Sequence, residues 1–234
     1  MHEFTAAFAT ALELIVEIDP ELMVIVSLSL MVSLTAVILA AVCGLPLGAA
    51  VAVLRFPGRN LVGVLLNATM GLPPVVVGLV LYVLLSRAGP LGELGLLYTP
   101  MAMVLAQCIL VTPIIAALTR QTIADLHEEY DEQLRSLGVG PWRTIGTLLW
   151  DGRFSLSTAV LAGLGRASAE VGAVIIVGGN INHVTRVMTT TIVLETSKGN
   201  LPLALGLGII LLLLTFTLNA IALVIRDVTK RAYG

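Results

Sequence analysis

Two ionisable residues stand in a stretch that otherwise has none: Arg166 and Glu170, within Gly163-Leu164-Gly165-Arg166-Ala167-Ser168-Ala169-Glu170-Val171-Gly172. Four residues apart, they fall on one face of a helix and can pair with each other. Charged groups at membrane depth cost several kcal/mol unless they are paired or face a polar cavity. Two readings follow: a structural ion pair between spans, or one wall of a path for an ion. The second charged group is a block, Arg120 to Asp151, holding Asp125, Glu128, Glu129, Asp131 and Glu132 with Arg120, Arg135 and Arg143. Its chemistry is that of a docking surface. His2, His127 and His183 are scattered, so no metal site is expected. Cys43 and Cys108 both lie in apolar runs and read as small buried hydrophobes.

The elements that must hold these residues are membrane spans. Of 234 residues, 57% are hydrophobic and 12% charged, with a mean hydropathy of +1.00. Soluble domains carry roughly a quarter charged residues. The N-terminus has acids where a signal peptide needs a basic region, so no cleaved signal is expected. Residues 4–18 read as an interfacial amphipathic helix that ends near Asp19-Pro20.

Five spans are expected, at about 22–54, 61–86, 100–119, 155–178 and 203–225. The first is too long for a straight crossing and is expected to tilt, or to kink near Gly44-Leu45-Pro46. The second contains Pro73 and Pro74, which leave carbonyls unpaired at lipid depth and so suit a polar path. Five spans put the termini on opposite sides. With the C-terminus in the cytoplasm, the inner segments hold nine of the basic residues (Arg55, Arg59, Arg120, Arg135, Arg143, Arg153, Arg226, Lys230, Arg231) and the outer ones hold Arg87, Arg186 and Lys198. This places the N-terminus outside and the segment 120–151 in the cytoplasm. On the outer side, Asn180, Asn182, Thr185 and Arg186 are available to contact a delivering protein or an anion, or to form an ordinary solvated loop.

Within the polar block, Glu132 to Gly138 reads as a short helix ended by glycine. Pro141 then suits the first turn of a second helix, amphipathic through Trp142, Ile145, Leu148 and Leu149. Glu132 with Gly138 six residues on, apolar Leu148 and a hydrophobic end at Trp150 resembles the EAA loop of binding-protein-dependent, type I ABC importer permeases. Gln133 and Leu134 stand where that pattern has two alanines, and Trp150-Asp151 where it has Leu-Pro.

The resemblance implies an all-α polytopic membrane protein of five transmembrane helices with the type I importer permease fold. It implies docking of two ATPase subunits at Glu128, Glu129, Asp131, Glu132, Arg135 and Gly138, a second copy of this chain in the lipid bilayer, and an extracytoplasmic binding protein. Arg166, Glu170, Pro73 and Pro74 would then line the translocation path, with Asn180, Thr185 and Arg186 in the outer loop. No GxxxxGK[ST] phosphate loop is present. The chain is therefore expected to be no enzyme, with ATP and Mg on the partner ATPase and no cofactor of its own; no nucleic-acid partner is expected.

Leu72–Gly78, Gly165–Ala173 and Thr185–Thr190 further resemble oxyanion permeases for molybdate, tungstate and sulfate. The block after the fourth span is most like the tungstate branch.

Overall fold

A computed structural model describes residues 20–233; the expected interfacial helix at 4–18 and His2 lie outside the described residues. The described chain is α-helical in the order α1 Pro20–Val53, α2 Arg59–Thr69, α3 Pro74–Leu85, a 3-10 turn at Gly92–Leu94, α4 Pro100–Ser136, α5 Pro141–Asp151, α6 Arg153–Ser168, α7 Gly172–Gly178, α8 Met188–Ser197 and α9 Leu201–Tyr233. Three helices are long and apolar enough to cross a membrane: α1, α4 and Leu201–Thr229 within α9. Up to five spans result if each of the broken pairs α2–α3 and α6–α7 is one crossing.

The breaks have local causes. Pro73 is extended (φ -66°, ψ 120°) and Pro74 occupies the first position of α3, where a missing N–H costs nothing. Between α6 and α7 the chain leaves the helix over residues 169–171. Pro46, by contrast, lies inside α1, which runs unbroken through it. Helices of this length tolerate a proline when neighbours take up the freed carbonyl.

The polar block is divided differently from the sequence expectation. Glu132–Gly138 is not a separate short helix: α4 continues without interruption from the apolar Pro100 to the charged Ser136 end. The change in polarity along α4 records a change of surroundings, not of backbone. Residues 179–200, between the expected fourth and fifth spans, also contain a helix, α8, whose Thr189, Thr190 and Thr191 are buried.

The chain forms two compact units. The first takes its described residues from Pro20–Thr35, Pro73–Gln107 and Ser168–Ile221. Its core joins Leu22, Met188, Leu207 and Ile210. α3 packs on α7 at Gly78, where a Cβ would stand 2.8 Å from the Ala173 Cα. The Met188 N–H donates to the Ser29 hydroxyl at 2.9 Å, tying the start of α8 to α1.

The second unit takes its described residues from 36–72, 108–167 and 222–233. One cluster gathers Val37, Ala40, Val111, Ile115, Leu164 and Ala167. Another joins Ala49, Ala52, Val53, Ile123, Ile145, Leu148 and Leu156, and so locks α5 onto α1, α4 and α6. Small residues set this packing, because in lipid, where the hydrophobic drive between helices is weak, close backbone approach supplies the attraction. Gly48 is the tightest point: a Cβ there would lie 2.3 Å from the Ala116 carbonyl oxygen and 2.8 Å from the Thr119 Cβ.

Candidate functional site

The charged end of α4 and the whole of α5 form a helical hairpin within the second unit. Its turn is fixed by backbone chemistry. Gly138 adopts φ 67°, the Val139 N–H donates to the Leu134 carbonyl at 3.0 Å, and the Gly138 N–H donates to that of Arg135 at 3.0 Å. These two bonds are the Schellman termination, which needs a left-handed residue just past the helix. Pro141 then opens α5.

Three faces of α4 meet different surroundings here. Ile123 is buried under α5, with Leu126, Tyr130 and Leu134 packed partly buried beside it. Asp125, Glu128, Glu129 and Glu132, at helical spacing, are exposed and make an acidic face. On the third face, Arg135 binds Asp131 through both arms of its guanidinium: Nε to Oδ1 at 2.9 Å and Nη2 to Oδ2 at 2.8 Å. His127 Nε2 stands 3.8 Å from the same carboxylate. These three line a cavity of about 670 Å³ with Arg55, Phe56, Val139 and Thr144.

The electrostatics of the hairpin are acidic at its base as well. The carboxylate of Asp151, and after it that of Glu129, sits beside Tyr130 and pushes its phenol above the usual range. Arg153 stacks between the rings of Trp150 and Phe154, 4.9 and 4.4 Å from their centroids, and its Nη1 donates to the Trp150 carbonyl at 2.8 Å.

The turn carries exposed apolar side chains. Leu137 is 77% exposed and Trp142 73%. Trp142 had been assigned to the buried face of α5, but that face is Thr144, Ile145 and Leu148. The available signal was position: both residues flank the Gly138 turn in an otherwise polar segment.

The first unit holds the other predicted residues except Arg166. Arg166 and Glu170 do not share one helix: α6 ends at Ser168 and Glu170 falls in the break that follows. Glu170 is 3% exposed. Its Oε1 accepts the Ala173 N–H at 2.9 Å, closing the first turn of α7, and its carbonyl accepts the Thr189 hydroxyl at 3.0 Å. Glu170 thereby joins α7 to α8. Arg166 lies in the last turn of α6, in the second unit. Pro73 and Pro74 start α3 and bring no polar side chain to it.

In the segment before α8, Thr185 is fully buried; its hydroxyl donates to the Gly178 carbonyl and accepts the Ile181 N–H at 2.9 Å. It is an internal tie in this loop. Arg186 Nη1 donates to Asn182 Oδ1 at 3.0 Å, and Asn180 takes φ 50°. Glu195, which the sequence reading did not single out, is bound by Lys198 Nζ at 2.7 Å and Asn200 Nδ2 at 3.2 Å. The Lys198 hydrogen bond outweighs burial and, with Asn200 and the Lys198 and Arg186 charges, holds this carboxyl below its usual range.

Helices of spanning length, a charged hairpin between two of them, and helix breaks inside others define an integral-membrane transport subunit. The chain belongs to the family of binding-protein-dependent transport system inner membrane components, whose pattern matches residues 44–233. Among its relatives is the tungstate uptake system permease protein TupB of Peptoclostridium acidaminophilum, 39% identical over 97% of this chain and 100% of the relative. A probable anion ABC transporter permease protein of Haloferax volcanii is 39% identical, covering 90% of this chain and 93% of that one. The sulfate transport system permease protein CysT of Escherichia coli is 28% identical over 80% of this chain and 70% of that one. The chain is a transport component, not an enzyme.

Proposed function

We propose that this chain is the membrane-spanning permease of an ATP-driven tungstate importer. The observation that carries the reading is end-to-end similarity to a tungstate uptake permease, 39% identical over the whole of that relative. The excess of basic residues on one set of loops supports an extracytoplasmic N-terminus and a cytoplasmic hairpin at 120–151. Two copies form the pathway, and a binding protein delivers the anion from outside.

On this reading the hairpin is the point of force transfer. Each of two ATPase subunits engages the turn at Leu137–Gly138 and the acidic face at Glu128, Glu129 and Glu132. Closure of the ATPase pair displaces the hairpin. Because α4 continues as one helix from hairpin to span, the displacement reaches the membrane part without a hinge in that helix. The Asp131–Arg135 pair stiffens its last turns. No covalent chemistry takes place in this chain.

The test is uptake in proteoliposomes containing the permease, its ATPase and its binding protein, with tungstate, molybdate and sulfate offered separately. ATP-dependent accumulation of tungstate in preference to the other two is expected. Equal or preferential uptake of sulfate assigns the chain to another branch of the family.

A further inference from the structure

Arg120 lies on α4 where the apolar span gives way to the charged hairpin. Its guanidinium rests against Gly63 of α2: a Cβ at that glycine would stand 3.5 Å from Cζ and 3.6 Å from Nε and Nη1. Nε is buried and has no hydrogen-bond partner among the described residues. Next to it, the Thr119 hydroxyl is also buried without a partner, on a residue with 0% exposure. A helical threonine ordinarily turns its hydroxyl to the carbonyl four residues back. Thr112, Thr122 and Thr147 of this chain do so; Thr119 does not.

Arg59, one turn before Gly63 on α2, shows the contrast. Its Nε donates to the Val51 carbonyl at 2.8 Å and its Nη2 to that of Ala52, so this cation caps the carbonyl end of α1. Arg120 Nε has no such acceptor among the described residues. A guanidinium offers five donors in a planar fork suited to tetrahedral and carboxylate oxyanions. Leaving such a group partly buried without an acceptor is costly unless an acceptor arrives from elsewhere.

We infer that Arg120, with Thr119, binds a tetrahedral oxyanion, and that this anion is the transported one on its way to the cytoplasm. The assignment rests on the proposed oxyanion cargo and on the inward placement of this end of α4. Lipid phosphate shares the same chemistry. The inward setting favours the cargo: Thr119 packs against Gly48 of α1, and Gly63 itself is buried. Gly63 is then the neighbour against which the guanidinium lies, and Thr119 a second donor one residue before it on α4.

The experiment uses the full complex of permease, ATPase and binding protein in liposomes, measuring tungstate accumulated per ATP hydrolysed. Arg120→Gln is expected to lower that ratio by about tenfold or more, the scale of a lost charge-assisted hydrogen bond. ATP hydrolysis stimulated by the loaded binding protein should remain within about twofold of wild type, since the turn at Leu137–Gly138 and the acidic face that meet the ATPase are untouched. Arg120→Lys, which keeps the charge but loses the fork, should fall between. Thr119→Val should lower the ratio a few-fold. If Arg120→Gln does not assemble, Arg120→Lys gives the same readout. In parallel, lipids retained by wild type and variant are counted by native mass spectrometry; equal retention is expected. An unchanged ratio overturns the inference, and so does an unchanged ratio with loss of one bound lipid, which assigns Arg120 to a headgroup. Failure of the wild type to accumulate any oxyanion sinks the functional reading instead.

Discussion

The Glu170 carboxylate accepts the Ala173 N–H at 2.9 Å, so a side chain from the break between α6 and α7 closes the first turn of the helix after it. At 3% exposure this bond has little competition from water. Glu170→Gln keeps an acceptor in place, whereas Glu170→Ala removes it and leaves a buried N–H. Loss of a cap costs about 0.5–2 kcal/mol, and an orphaned buried donor adds to this. The alanine variant should therefore melt several degrees lower in detergent than the glutamine variant. Equal melting of the two would show that Glu170 acts through its charge and not through this bond.

Close helix packing makes a sharper contrast. Gly48→Ala must place a methyl 2.3 Å from the Ala116 carbonyl oxygen, backbone against backbone. Overpacking of this kind costs typically 1–3 kcal/mol. Gly146, in the interior of α5, has nothing within 4 Å of its would-be Cβ. There, Gly→Ala should stabilise by roughly 0.5–1 kcal/mol, through helix propensity alone. Thermal unfolding of the two variants in one detergent should move in opposite directions.

Much of the hairpin was legible in the sequence. A glycine followed three residues later by a proline marks a left-handed helix end and a new helix start, and Gly138 and Pro141 do both. What could not be read was the continuity of α4. Lipid-facing and water-facing turns share the same 3.6-residue period, so the polarity change at Arg120 says where the surroundings alter and nothing of where the helix stops. The break at residues 169–171 was hidden for the opposite reason. Its residues Ala169, Glu170 and Val171 include neither glycine nor proline, and the spacing of Arg166 and Glu170 suggested an unbroken helix. The Thr189–Thr191 run favours extended structure by composition. It is helical because its hydroxyls turn back on Val187 and Glu170. The hairpin turn is thus a local feature written in turn chemistry. The helix break depends on hydrogen bonds between segments distant in sequence.

The Glu195–Lys198 contact predicts a pH dependence. A carboxyl held below its usual range stabilises the fold above its unfolded pKa, and that contribution is lost as pH falls through the lower folded value. Lys198→Met removes the first cause of the shift and leaves burial, which acts in the other direction. The folded pKa then rises, and acid destabilisation should begin at a higher pH than in wild type. Melting temperatures followed from pH 7 downward in both proteins test this, and superimposable curves would count against the contact.

Leu137 and Trp142 should be the energetic centre of the contact with the ATPase. At 77% and 73% exposure they are large apolar groups in water on either side of the Gly138 turn, within a segment otherwise charged. Interfaces concentrate their energy in a few such anchors, enriched in tryptophan, and truncation of one typically costs 2 kcal/mol or more. The surrounding acids Glu128, Glu129 and Glu132 are exposed and supply salt-sensitive attraction of smaller size. Trp142→Ala should thus weaken binding of the purified ATPase by about thirtyfold, with little change in melting temperature because the indole buries little within the permease. Glu128→Gln should weaken it only a few-fold, and that loss should vanish at high salt. Gly138→Ala tests the frame that holds both anchors. A side chain in the left-handed region costs about 1–2 kcal/mol, so the turn should shift and binding fall although no contacting side chain has been removed. If Trp142→Ala binds as wild type while Glu128→Gln does not, the contact is electrostatic, and the acidic face of α4 is its centre instead of the turn.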